Sequence, residues 1–456
     1  MTIASNALSW FDMVFNPLHC GFNVWNTIGH IIYYVRYRQV GVGIVTPASK
    51  THTEQSMKLS QQWVITRQLG RSLARVAADA ARPQAALPLS EAQVADPLFL
   101  QGLLSQYGLG KYSGIEGIDA VRLLDIRSVS SNCNNRVLEL DYADKSAPWP
   151  RTMFLKMPVR SFATRVFMGA IMSWELECEF YRKVAPRLPV RTPTAYAMAN
   201  RGSRMLMLME NLYEDPSVVL HTNPEMIAGS SLDTARKCLQ TLARIHAEFH
   251  DISKAERDTL LPPAMQPFTS PVMRALTPMM GRAALNNCRK RADLALSAEH
   301  IEWYEKALAH WDQLVDWWSQ GPLTLVHGDS HIGNHFGHGD DAGMLDWQAA
   351  QWGKGIRDVQ YFLTDSLPAD VLAENEEALV RYYLEMLAEN GVQLEFAETW
   401  YQYRSFSFQT WMTIVVSMGF AVMTEDMNEV MPEIHRRCIA SIQRLELGTL
   451  LAEILD

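Results

Sequence analysis

The spacing of apolar positions switches between helical and strand-like periods along the chain. In residues 53–80, Leu59, Trp63, Val64, Leu69, Leu73 and Val76 recur at roughly helical spacing, with Arg67, Arg71 and Arg75 on one flank. Pro83, Pro88 and Ser90 then read as a linker. Phe99, Leu100, Leu103, Leu104 and Tyr107 predict a helix, and residues 122–129 and 136–142 predict two strands around a polar turn at 130–135. Met153-Phe154-Leu155-Lys156-Met157 is an apolar strand interrupted by a lysine. Residues 173–188 return to a helical period: Trp174, Cys178, Tyr181, Val184 and Leu188 share one stripe, and Glu177 falls inside it. Residues 204–212 form another apolar strand ending in a polar step. Residues 232–249 are a strongly periodic helix, with Ala235, Cys238, Leu239, Leu242, Ile245, His246 and Phe249 on one face. Residues 252–290 hold Pro262, Pro263, Pro267, Pro271 and Pro278 and read as an irregular loop, either a functional lid or simply variable surface. A helix over 301–319 follows, then a short strand at 323–326 and a mostly helical remainder with an aromatic, Met-rich stretch at 400–423.

Composition narrows the class. The 456 residues are 48% hydrophobic and 20% charged, as in soluble globular proteins, and a net charge of -9 argues against a nucleic-acid partner. Six cysteines without CxxC pairing point to thiols in a reducing cytosol rather than to a disulfide framework or zinc site. Residues 1–50 are aromatic and apolar (Trp10, Phe11, Phe15, Phe22, Trp25, then residues 31–35) but lack a basic start, so a secretory signal is not expected. Asn16, Pro17, His19, Asn23, Asn26 and His30 interrupt the segment too often for a membrane span. The favoured expectation is that this arm packs on its own lobe or on a second subunit. Peripheral contact with a membrane interface, through aromatics beside Arg36 and Arg38, is the alternative.

The chemistry concentrates in residues 327–346, HGDSHIGNHFGHGDDAGMLD. Asp329, Asn334 and Asp346 sit at the ends of two short strands joined by a polar, Gly-rich loop. Asp-x-x-x-x-Asn is the spacing at which phosphotransferases place a carboxylate beside the attacking hydroxyl and an amide oxygen on Mg²⁺. Phosphoryl transfer needs charge neutralisation more than covalent help, and a hard cation needs oxygen ligands. Asp329 therefore suits the base, and Asn334 and Asp346 suit the metal. Lys156 in a buried strand needs an anion, and Glu177 on a buried helical stripe needs a cation; the two are expected to pair. Two other readings use the same residues. His327, His331 and His335 at four-residue spacing suggest a metallohydrolase, although Gly328, Gly333 and Gly337 oppose a helix that would align them. A non-catalytic nucleotide-binding module is the other. His246 and His250 are also four apart; His246 reads as a core histidine.

Together these segments resemble the aminoglycoside phosphotransferase and choline kinase superfamily. The residues that carry the resemblance are His-Gly-Asp-Ser-His-Ile-Gly-Asn at 327–334, Leu-Asp-Trp-Gln at 345–348, Arg357-Asp358-Val359, and Leu-Ala-Arg-Ile-His-Ala at 242–247. Glu177 with Phe180-Tyr181, and Met-Glu-Asn-Leu at 209–212, bring the chain nearest to the ecdysteroid-kinase-like branch. The resemblance runs from about residue 91 to the C-terminus. It implies an α+β, two-lobed protein-kinase-like fold: residues 91–210 form an N-lobe with a small antiparallel sheet, and 211–456 a mainly helical C-lobe with the catalytic loop and acceptor site. Residues 1–90 form an N-terminal extension. It further implies ATP and Mg²⁺ as cofactors and a small hydroxylated acceptor. Ser131, Asn132 and Asn134 would cover the phosphates, Lys156 would hold them, and the backbone at Met209 and Glu210 would face the adenine. His327, His331 and Asp358 would support the catalytic loop. The loop at 130–135 lacks the glycine expected of a phosphate cover. The aromatic stretch at 400–423 and the tryptophans at 311–318 suggest a largely apolar acceptor, steroid- or terpenoid-like, with choline or an aminoglycoside as the alternative. The expected location is the cytoplasm, with membrane association through the arm as a variant.

Overall fold

The computed structural model describes residues 59–82, 87–126, 132–420 and 425–455. The N-terminal arm and Pro83 lie outside these residues. Five strands pair antiparallel in the order β1-β2-β3-β5-β4, with β1 Ile118–Leu124, β2 Cys133–Tyr142, β3 Thr152–Pro158, β4 Ala195–Arg201 and β5 Arg204–Met209. The alternating period gives the sheet two faces. Leu138, Leu140, Met153, Leu155, Leu206 and Leu208 pack in a small core with Leu100, Leu103 and Leu104. The intervening Phe154 and Lys156 therefore point to the opposite face, where the cleft lies.

Four helices frame this sheet: α1 Leu59–Ala80, α2 Pro97–Tyr107, α3 Phe162–Ala170 and α4 Ser173–Glu179. Helix α4 runs on through a π-turn at Phe180–Val184. Helix α1 packs on α3 differently from its sequence stripe: Ile65, Ser72 and Val76 are buried, whereas Leu59, Trp63 and Leu73 are exposed. The cause is close approach, because a Cβ on Gly169 would lie 2.6 Å from Ser72 Oγ, so only small groups fit that face. Ser72 Oγ donates to the Val166 carbonyl at 2.7 Å. Asp79, near the end of α1, accepts from Ser203 N at 2.7 Å and lies 3.5 Å from the buried Arg204 guanidinium, so α1 is fastened to the β4–β5 turn.

The second lobe is helical, with two small pieces of sheet. Its elements are β6 Val218–Leu220, α5 Asn223–Ala228, α6 Leu232–Glu248, α7 Pro271–Cys288, α8 Ala298–Ala309, α9 Trp311–Trp318, β7 Thr324–Val326, β8 His335–His338, β9 Asp341–Met344, β10 Gln351–Gly353, α10 Ile356–Ser366, α11 Ala369–Glu389, α12 Phe396–Phe420, α13 Glu425–Arg444 and α14 Leu447–Leu455. Strand β8 pairs with β6 and β9, and β7 pairs with β10, so both ends of the loop at 327–334 are held by short ladders. This is the two-lobed kinase-like architecture, with the antiparallel sheet N-terminal to the helical lobe.

Three expectations need correction. Residues 252–290 are not an irregular loop: Lys254–Leu260 and α7 are helices, and Pro278 lies inside α7. Ser270 caps α7 through Met273 N, and Pro271 occupies the first turn, where a missing N–H costs nothing. Packing of α7 on α12 and α1 outweighs the bond lost at Pro278. The helix expected over 301–319 is two helices, α8 and α9, parted at His310. The strand expected over 122–129 is β1, which starts earlier and ends at Leu124. No helix among the described residues is long and apolar enough to cross a membrane, and no disulfide joins Cys133, Cys178, Cys238, Cys288 and Cys438.

Candidate active site

Helix α10 is buried on every side, yet it carries Arg357, Asp358, Gln360, Thr364, Asp365 and Ser366. Such a helix is stable only if its polar groups find partners. Asp358 meets this demand by gripping the loop at 327–334: its Oδ2 accepts from His327 N, and its Oδ1 accepts from Gly328 N at 3.0 Å. Arg357 Nη2 donates to the Gly328 carbonyl at 3.0 Å, and Ser330 Oγ donates to the Asp358 carbonyl at 2.8 Å. His246 Nε2 lies 3.5 Å from Asp358 Oδ2, while its Nδ1 is 2.9 Å from the Tyr383 hydroxyl, so His246 is a core histidine. Burial pushes the Asp358 carboxyl up, but His246 and Arg357 outweigh it and hold it below the usual range. Gly328 adopts φ 86°, and a Cβ there would meet the Ala349 carbonyl oxygen at 2.2 Å, so no other residue fits this turn.

The clamped loop presents Asp329 to the cleft. Tyr361 donates its hydroxyl to Asp329 Oδ1 at 2.9 Å. Asn334 Nδ2 donates to the Asp329 carbonyl at 2.7 Å and approaches Oδ2 at 3.4 Å. His327 Nε2 lies 2.9 Å from the Leu345 carbonyl, and its Nδ1 accepts from Asp329 N at 3.2 Å. Those two contacts fix the Nε2–H tautomer. Burial keeps the His327 ring below its usual pKa, hence neutral. Trp347 wedges between His327 and Phe180, stacked on the latter at 4.2 Å.

In the cleft that Asp329 also lines, Lys156 Nζ sits 2.8 Å from Glu177 Oε1 and 3.0 Å from Asp346 Oδ1. Burial opposes the ammonium charge, and Asp346 and Glu177 outweigh it, so Lys156 stays protonated well above its usual range. Burial likewise pushes Asp346 up, and Lys156 reverses the shift. Glu177 is 1% exposed, and burial takes it up to about 7 against the pull of Lys156. Asp346 holds a left-handed backbone, φ 61°, which short polar residues tolerate best.

These groups line one cleft of about 740 Å³ that also holds Asn132, Met209, Glu210, Asn334, Tyr361 and Asp365. Ser131 lies outside the described residues. Asn134 stands in β2 opposite Met157 and does not line the cleft; Asn135 does, because the strand period sends neighbouring side chains to opposite faces. Asn132 Nδ2 donates to Gln348 Oε1 at 3.1 Å, joining the cover loop to the segment after Asp346. Glu210 N donates to the Thr194 carbonyl at 2.8 Å, and its side chain accepts from Arg191 at 2.7 Å. The histidines do not converge. His327 turns to Leu345, His331 lies 3.8 Å from Asp329, and His335 packs on Phe362 with burial lowering its pKa to about 3. Among the described residues, no cluster of three His, Cys, Asp or Glu is placed to hold a metal. The aromatic stretch expected to line the acceptor site is core: Tyr403, Phe406, Phe408, Trp411 and Met412 are buried, as are Trp311 and Trp318. Among the described residues of α12, Ile414 and Ser417 line the cleft. Tyr361 and Asp365 were missed in sequence. Their signal is the spacing 358, 361, 365, one face of a helix hidden in an apolar run.

The ecdysteroid kinase-like family matches residues 136–396, from β2 to the start of α12. No curated protein matches the chain. The fold is similar to that of a choline/ethanolamine kinase family protein from Mesorhizobium loti, at 14% identity over 78% of this chain and 97% of that one, with a TM-score of 0.45. An ethanolamine kinase from Plasmodium vivax is 9% identical over 85% and 97%, with a TM-score of 0.46. A macrolide 2'-phosphotransferase from Brachybacterium faecium is 15% identical over 74% and 97%, with a TM-score of 0.39. The family match spans more than half of the sequence, so this chain belongs to the ecdysteroid kinase-like family and is a phosphotransferase that acts on a hydroxyl group.

Proposed function

We propose that the protein transfers the γ-phosphate of ATP to a hydroxyl of a small, largely apolar acceptor. The observation that carries this reading is that Lys156, Glu177 and Asp346 line the same cleft as Asp329 and Tyr361. Lys156, charged and fixed by two carboxylates, is the phosphate-holding group, and Glu177 orients it. Phe154 and Met209 from the sheet and Leu345 from the helical lobe offer an apolar seat for the base. The acceptor oxygen attacks the γ-phosphorus, the bond from that phosphorus to the bridging oxygen breaks, and ADP leaves with the electron pair. The hydroxyl proton passes to the Asp329 carboxylate, which Tyr361 and Asn334 hold in place.

The residues present fit a magnesium ion. Asn334 spends its amide nitrogen on Asp329, which leaves its Oδ1 as a spare hard donor in the cleft that Asp346 also lines. Bound there, Mg²⁺ supplies charge neutralisation for the phosphates.

The aliphatic part of the cleft supports the apolar reading: Met226, Ile227, Ile414, Val430, Met431 and Ile434 line it, together with the polar Ser417, Glu429 and Asp365. Flexible and branched aliphatic side chains suit a hydrocarbon skeleton better than a polycationic sugar. ATP consumption over a panel of hydroxylated sterols and terpenoids, choline and an aminoglycoside tests this. Turnover of hydrophobic alcohols is expected; efficient turnover of choline or the aminoglycoside alone would contradict the acceptor assignment.

A further inference from the structure

Asp365 stands apart from the rest of α10. Arg357, Asp358, Gln360, Tyr361, Thr364 and Ser366 each have a hydrogen-bond partner. Asp365 is 2% exposed, its Oδ1 meets no partner, and its side chain lines the cleft. Burial pushes its carboxyl up to about 6, so most of it is ionised at neutral pH. A buried carboxylate with one oxygen left unpaired costs stability, and a residue that breaks a local rule marks a candidate site used for something else. Asp365 lies one helical turn beyond Tyr361, whose hydroxyl already touches Asp329.

We propose that Asp365 anchors a second hydroxyl of the acceptor, so that the preferred substrate is an apolar skeleton bearing two hydroxyls: one delivered to Asp329, the other bound by Asp365. A neutral donor fits better than a cation. Arg437 already donates to the Asp365 carbonyl at 2.6 Å, so a guanidinium charge is present near the carboxylate. Among the described residues the wall holds the aliphatic Ile414, Val430 and Ile434 with the aromatic Tyr361, and a quaternary ammonium is best held by several aromatic faces.

This inference rests on the proposed apolar-alcohol kinase activity, and one experiment separates the two. A monohydroxy sterol and its dihydroxy counterpart are assayed with wild type, Asp365→Asn and Asp365→Leu, with thermal unfolding recorded for each. The wild type is expected to favour the diol through a lower KM. Both variants should raise the diol KM at least tenfold, leave the mono-alcohol KM within twofold, and leave the KM for ATP within twofold. Unfolding of Asp365→Leu should occur at the same or a higher temperature, because an unpaired acid has been removed. Variants that keep the diol preference, or that weaken both alcohols equally, would overturn the role of Asp365 while leaving the kinase reading intact. A wild type that phosphorylates choline and neither sterol would overturn both. Loss of stability in Asp365→Leu with the diol preference unchanged in Asp365→Asn would mark Asp365 as structural and overturn the subsite.

Discussion

The Tyr361 hydroxyl donates to Asp329 Oδ1 at 2.9 Å, from a helix whose Asp358 also holds the backbone of the same loop. One rigid element thus sets both the position of the catalytic-loop backbone and the rotamer of the proposed base. Tyr361→Phe removes only the second. A hydrogen bond to a charged group contributes on the order of 1.5–3 kcal/mol, so kcat should fall by about tenfold or more. ATP affinity, measured by thermal shift, should not change. A fall in ATP affinity with kcat retained would show that Tyr361 acts on the nucleotide instead.

Glu177 and Lys156 are not equivalent partners. Lys156→Met leaves Glu177 sealed in the sheet–helix interface without its cation. Because Glu177 already titrates at about 7, it can take up a proton in the variant, and the fold should survive with a lowered melting temperature. Turnover should fall by at least about 100-fold, as befits loss of a fixed charge on the phosphates. Glu177→Gln keeps a hydrogen-bond acceptor for Lys156 and should lose only about tenfold. Equal losses in the two variants would argue that they act as an indivisible unit.

Much of this site was legible because its motifs are local in sequence. The strand lysine, the acid on the helical stripe and the loop at 327–334 each show within a dozen residues. What escaped depended on contacts between distant segments. The period of 400–423 could not say which face met the cleft, since α12 is apolar almost all round and most of it is core. Pro278 looked like a helix breaker, but α7 is held by neighbours on two sides. Tyr361 and Asp365 carry no motif of their own; their meaning comes from α10 lying against the catalytic loop. The apolar stripe of α1 was misplaced for a similar reason, because Gly169 on α3 selects Ser72 rather than Leu73.

Stability should depend on pH through histidines buried neutral. Burial, with His300 and Arg291 adding to it, lowers the His435 pKa from 6.5 to about 4. The unfolded chain therefore binds a proton that the folded chain refuses between those values. The stability this group contributes is complete above about pH 6.5 and is lost as the pH falls toward 4. His335, at about 3, acts in the same direction. The melting temperature should drop between pH 6.5 and 5. His435→Gln should recover on the order of 2 kcal/mol of the loss near pH 5. Melting curves for variant and wild type that stay parallel across this window would refute the assignment.

The central claim is that Asp329 takes the acceptor proton while Lys156, Asn334 and Asp346 handle the nucleotide. It is tested most directly by labelled γ-phosphate transfer in Asp329→Asn, with the Mg²⁺-ATP thermal shift recorded on the same protein. The account predicts a shift equal to that of the wild type and turnover reduced at least ~10²-fold, the scale of a positioned general base. Full turnover in Asp329→Asn, or a wild type that shows no shift with any nucleotide at millimolar Mg²⁺, would contradict it.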